Sequence, residues 1–119
     1  MNNLADRPRI YIPHEPCRWD DVGQTLVPIY DLGPATKHGT LTPLLPRGPL
    51  TLSSREVVAK LREQLQDFTD DDFILCIGDP VIVASACMVA AQINGDYAKV
   101  LRYDRHNKEY RPVEINLGE

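Results

Sequence analysis

A chain of 119 residues is sized for one domain, residues 1–119, and its formal net charge of −4 argues against broad attraction to nucleic acid or anionic membrane. The 43% hydrophobic and 25% charged fractions sit near globular averages, which argues against global disorder, and folding is expected to need neither metal nor disulfide. The opening Met1-Asn2-Asn3-Leu4-Ala5-Asp6 lacks the basic start and apolar stretch of a signal peptide. The longest apolar segment, residues 81–91, is interrupted by Ser85 and is too short to span a bilayer. Cys17, Cys76 and Cys87 make an odd count, so free thiols in a reducing compartment, the cytoplasm, are expected.

Eight of the ten prolines fall between Pro8 and Pro49. Proline lacks a backbone donor and fixes φ, so residues 1–52 cannot hold a long helix and read as short strands and loops. Strands are expected at residues 9–12 and 26–32, with a weaker pattern at 40–45, all at the edge of a sheet. Residues 53–119 supply the scaffold. Ser53 and Glu56 have the spacing of a capping box, and Val57, Val58, Leu61, Leu65 and Phe68 recur at helical spacing behind them. The acidic stretch 67–72 ends that helix.

Phe73-Ile74-Leu75-Cys76-Ile77 is a continuous apolar run of strand length, the pattern of a strand covered on both faces. In Gly78-Asp79-Pro80, Asp79 suits an N-cap and Pro80 the first helical position. The helix that follows, residues 80–93, is apolar almost all round and therefore expected to be deeply buried. Asn94-Gly95 stops it. A strand at 98–103, a polar turn at 104–109 and a strand at 110–117 close the chain as a β-hairpin. The predicted fold is α/β (with α+β as the alternative): a mixed β-sheet built around a central strand–helix–strand crossover.

The string Phe68-Thr69-Asp70-Asp71-Asp72-Phe73-Ile74-Leu75-Cys76-Ile77-Gly78-Asp79-Pro80 and the alanine-rich helix after it resemble small proteins of tailed bacteriophages. Val100-Leu101-Arg102-Tyr103-Asp104-Arg105 and the closing Tyr110-Arg111-Pro112-Val113-Glu114-Ile115 carry the same likeness. Ile10-Tyr11-Ile12-Pro13-His14-Glu15-Pro16 and Val27-Pro28-Ile29-Tyr30-Asp31-Leu32 are similar to that group's opening, so the likeness covers most of the chain. The resemblance implies a virus-encoded protein acting in the host cytoplasm. That group has no assigned activity, so no catalytic residue carries over.

Candidate sites are few. The turn at Gly78 and Asp79 lies where α/β sheets bind ligands and where helix N-termini attract anions. However, Pro80 removes a donor, Asp79 adds a negative charge, and no glycine run or Walker lysine is present. Asp70, Asp71 and Asp72 with Asp79 offer oxygen ligands, but a solvated loop accounts for the first three. His14, Cys17 and His38 do not complete a zinc set. Ser85 and the cysteines stand in no nucleophile motif, and Cys76 and Cys87 read as small core hydrophobes. Arg102, Arg105, Lys108 and Arg111 on the hairpin interleave with tyrosines as in nucleic-acid surfaces, against interrupting acids that form ion pairs equally well. No metal, cofactor or catalytic residue is expected. The leading expectation is a non-catalytic accessory protein that binds a bacterial or phage protein through Tyr11, Trp19 and Tyr30, with a homodimer as a further state. A small-molecule or nucleotide-binding protein using Gly78 and Asp79 is one alternative, and a nucleic-acid-binding protein using the hairpin is another.

Overall fold

Pro8 and Pro13 bracket the four residues Arg9–Ile12, leaving each of them its N–H for a ladder. The computed structural model, which describes residues 7–50 and 53–118, puts this strand inside the sheet. In chain order the elements are β1 (Arg9–Ile12), β2 (Cys17–Asp20), β3 (Thr25–Pro28), a 3-10 helix (Gly33–His38) and β4 (Thr40–Pro43). Then come α1 (Ser54–Gln64), β5 (Phe73–Leu75), α2 (Pro80–Ile93), β6 (Tyr97–Asp104) and β7 (Glu109–Asn116). The main sheet runs β4-β1-β5-β6-β7, while β2 and β3 form a separate two-stranded sheet. β1 pairs in parallel with β4 (Ile10↔Leu41) and with β5 (Ile10↔Phe73), β5 with β6 (Ile74↔Val100), and β6 runs antiparallel to β7 (Val100↔Val113).

The mixed α/β architecture and the β5–α2–β6 crossover match the sequence reading. The expected edge position of β1 does not: β4 takes the edge and β1 lies one strand in. The strand expected at 26–32 is shorter. It runs Thr25–Pro28; the Ile29 amide adds one more bond in the same register, to the Pro16 carbonyl at 3.0 Å, and the chain then leads into the 3-10 helix. Its partner β2 was not anticipated.

Both faces of the sheet are covered. On one, Tyr11, Ile74, Ala98 and Val100 pack against Val57, Leu61 and Leu65 of the α1 segment and Ile82, Ala86 and Val89 of α2. On the other, Ile10, Ile12, Phe73, Leu75, Leu101 and Tyr110 pack against Leu32 and Ala35 from the 3-10 region. The β1-to-β4 connection moves one way along the sheet over this second face. The two helical connections move the other way over the first, as a common crossover hand requires.

The helix caps follow the sequence. Ser53 accepts from the Glu56 amide and Glu56 reaches back to Ser53. Asp79 caps α2 through the Val81 amide at 2.8 Å, with Pro80 in the first turn. α1 stops at Gln64, short of the expected Phe68, yet Leu65 and Phe68 stay buried in the turn that follows. α2 is not buried all round. Val81, Ala84, Met88 and Gln92 form an outward stripe, since α1 covers only its flank and no layer of described residues lies above it. Among the described residues no helix is long and apolar enough to cross a membrane. The opening six residues, read above for a signal, lie outside the described residues.

One polar group is fully buried between the two halves of the chain. The Asp72 carboxylate, 0% exposed, accepts from the Arg9 amide at 2.9 Å, the Thr69 amide at 2.9 Å and the Thr69 hydroxyl at 3.1 Å, and it pairs with the Arg7 guanidinium. The acidic run therefore is not wholly a solvated loop: Asp72 faces inward and ties the start of β1 to the start of β5. Removing one partner of a buried pair leaves the other charge without compensation. Asp72→Ala should lower unfolding stability in urea by about 3–5 kcal/mol, whereas a loss no larger than that of an exposed carboxylate such as Asp71 would contradict the clamp.

Candidate functional site

A parallel sheet whose connections leave in opposite directions opens a crevice beyond its strand ends. Here that point lies between β1 and β5, because the chain leaves β1 toward β4 and leaves β5 toward β6. The segment after β1 (His14, Glu15, Pro16, Cys17) and the turn after β5 (Gly78, Asp79) meet there. With Trp19 and Leu26 of the β2–β3 hairpin, Ile29 and Tyr30 beyond it, and Gly48 and Pro49, they line a cleft of about 690 Å³.

Each wall has a local cause. Gly78 sits at φ +104°, and a Cβ there would fall 2.6 Å from the His14 carbonyl oxygen, so the two strand-end loops approach as only glycine permits. The His14 ring donates from Nε2 to the Gly48 carbonyl at 2.8 Å. The Arg47 guanidinium grips Glu15 Oε1 at 2.8 and 3.0 Å, holding the proline-rich segment 43–49 as the second wall. Trp19 is 54% and Ile29 55% exposed, so the rim is apolar and open to solvent. Its charged groups are acidic: Asp79 within the cleft, and Glu15, which Arg47 already neutralises.

The sequence candidates separate in space. Trp19, Tyr30, Gly78 and Asp79, read from the sequence as parts of two different sites, line this one cleft. Tyr30 also packs edge-on against Tyr103 at 5.7 Å. Tyr11 is not with them. At 1% exposure it points into the helix-side core, with its ring 5.8 Å from Phe68, because an interior strand has no solvent face when both sides are covered. Asp79 and Asp70–Asp72 stand at opposite ends of β5. Among the described residues no three His, Cys, Asp or Glu side chains group together to hold a metal ion. His38 donates from Nε2 to the Tyr110 carbonyl at 2.9 Å, far from His14 and Cys17 in its bonding. The Ser85 hydroxyl donates to the Val81 carbonyl at 2.8 Å, the usual mid-helix arrangement.

On the hairpin, Arg102, Arg105 and Arg111 share a hollow with Tyr103, and Lys108 lies exposed in the turn. Arg111 is bound on both sides, to Asp104 at 2.9 Å and to Glu109 at 2.9 Å. The Asn107 side-chain amide donates to Asp104 at 2.9 Å, and with the Asn107 and His106 amides and Arg111 it lowers the Asp104 carboxyl to about 2. Three pairings were not read from the sequence: Glu15 with Arg47, Asp72 with β1, and Cys76 with Cys87. Interaction between the two thiols lowers the Cys76 pKa, and the same interaction together with burial raises that of Cys87. Only the Thr69-x-x-Asp72 spacing carried a local signal, that of a side chain closing its own turn.

Because the folded Asp104 carboxyl titrates below its ordinary 3.8, its contribution to the hairpin is complete above that value and is lost as pH falls toward about 2. NMR titration of the Asp104 carboxyl carbon should give a midpoint near 2, and a midpoint at 3.8 would contradict the turn geometry.

Residues 8–117 match the model of a family described as phage Pam3 gp32-like protein. No curated protein and no solved structure matches the chain.

Proposed function

The chain belongs to the phage Pam3 gp32-like protein family, and from that premise we propose that it is a non-catalytic binding protein. Its cleft between β1 and β5 takes an apolar segment of a partner protein that carries a basic side chain. The observation that carries this reading is the convergence of Trp19, Leu26, Ile29 and Tyr30 with Asp79 on one open cleft. Large aromatic and aliphatic groups at a concave, solvent-facing site supply the anchor pockets of protein interfaces.

Two features weigh against an anion such as a nucleotide phosphate. Pro80 brings no N–H to the α2 terminus, and the Asp79 carboxylate already accepts the Val81 amide at 2.8 Å. The same carboxylate and the chain's net charge of −4 favour a cationic group on the partner. The proposed place of action is the bacterial host's cytoplasm, a reading supported by three free cysteines, none of them in a disulfide.

Trp19 is the chain's single tryptophan, so its fluorescence reports on the cleft alone. A partner captured from infected cells, then purified and titrated in, should change Trp19 emission. Ile29→Glu should weaken that binding roughly tenfold or more while leaving the thermal midpoint within a degree or so, as expected for an exposed anchor. Trp19→Ala should weaken capture likewise. Undiminished affinity in both variants would remove the cleft from the interaction.

A further inference from the structure

β7 is an edge strand of eight residues that, among the described residues, pairs only with β6. The direction of each main-chain group follows from two hydrogen bonds. The Leu117 amide donates inward to the Asp96 carbonyl at 2.7 Å, so the odd-numbered residues of β7 bond to β6 and the even-numbered ones face outward. The outward Tyr110 carbonyl is taken by His38 at 2.9 Å, and Pro112 has no N–H to offer. Beyond Pro112, the N–H and C=O of Glu114 and Asn116 face outward and meet no described group of the chain.

The side chains beside this open stretch are also uncovered. Val113 and Ile115 lie opposite Val100 and Ala98, on the helix face of the sheet. α2 packs on β5 and β6 and stops short of β7, which leaves Val113 38%, Ile115 38% and Leu117 65% exposed. Leu117 shares a hollow with Met88 of α2, itself 73% exposed.

We propose that this edge pairs antiparallel with the β7 of a second copy, about a two-fold axis through Ile115. Only even-numbered residues bond outward, so the paired positions must join even to even. Centring on Glu114 sets two carboxylates face to face, a like-charge pair that destabilises a ladder. Centring on Ile115 sets Glu114 against the neutral Asn116 of the second copy, and their outward amides and carbonyls satisfy one another. In that register Ile115 meets Ile115 and Val113 meets Leu117, so the exposed aliphatic groups cover themselves. The two five-stranded sheets become one, with both helix layers on the same side. A single strand pair with these side chains is at the small end of stable interfaces, which start at about 1,200 Å². The dimer is therefore reversible and concentration-dependent.

Sedimentation velocity of the wild-type chain over a wide concentration range should show monomer converting to dimer. Ile115→Lys places two ammonium groups at the axis and should hold the protein monomeric with unchanged circular dichroism, while Val81→Lys, on the far turn of α2, should dimerise as wild type does. Register is read separately by cysteine cross-linking with glutathione disulfide. Residues facing at a non-hydrogen-bonded pair stand about 4.5 Å apart at Cα, within disulfide reach. Ile115→Cys should therefore form a covalent dimer beyond the wild-type background and Val113→Cys should not. A monomer at every concentration, or equal cross-linking at both positions, would overturn the proposal.

Discussion

The buried Asp72 carboxylate is where the proline-rich half of the chain is fastened to its helical half. Arg7 and the Arg9 amide reach it from the start of β1, and Thr69 reaches it from the turn before β5. A carboxylate with no solvent contact is tolerable only when donors surround it, so these bonds form together or not at all. Their joint satisfaction sets the relative position of β1 and β5, with Ile10 beside Phe73 and Tyr11 beside Ile74. That position puts apolar residues of β1 into both cores at once, Tyr11 toward the helices and Ile10 and Ile12 toward the 3-10 segment.

The cleft is a consequence of that insertion. Once β1 lies between β4 and β5, the chain must leave its end in one direction and the end of β5 in the other, and the gap between the two exits is concave. Polar ties then shape it. Glu15 and His14 hold the segment around Arg47 and Gly48, while Gly78 lets the β5 turn approach the His14 carbonyl. The result is an open, largely apolar hollow bordered by the exposed Asp79 carboxylate. The helix terminus beside it is already closed by its own Asp79 and Pro80.

What the sequence made legible is what local physics determines. Ser53 with Glu56, and Asp79 with Pro80, announce their helix starts because a cap is a bond between near neighbours. The hairpin of β6 and β7 is equally local, and its turn fell where the polar residues predicted. Residues 9–12 also read as a strand, but nothing nearby says that Thr40–Pro43 lies on one side of it and Phe73–Leu75 on the other. Hence the sequence puts Tyr11 on a surface it does not reach, and β2 carries no local signal because its register depends on its partner β3, which is shorter than its apolar run suggests. The apolar composition of α2 suggested burial on all sides. What was missing was that a single flanking helix leaves Val81 and Met88 uncovered. Trp19, Tyr30, Gly78 and Asp79 were each singled out from the sequence, while their convergence is long-range and visible only in the fold.

β1, short and flanked by prolines, is an interior strand fastened on both sides. Native-state amide hydrogen exchange tests it most directly, since edge strands fray while interior ones open only with the whole domain. The hydrogen-bonded amides within Arg9–Ile12 should exchange as slowly as those of Phe73–Leu75. Exchange of the β1 amides at rates typical of an exposed loop, with β5 still protected, would mean that β1 is not held inside the sheet.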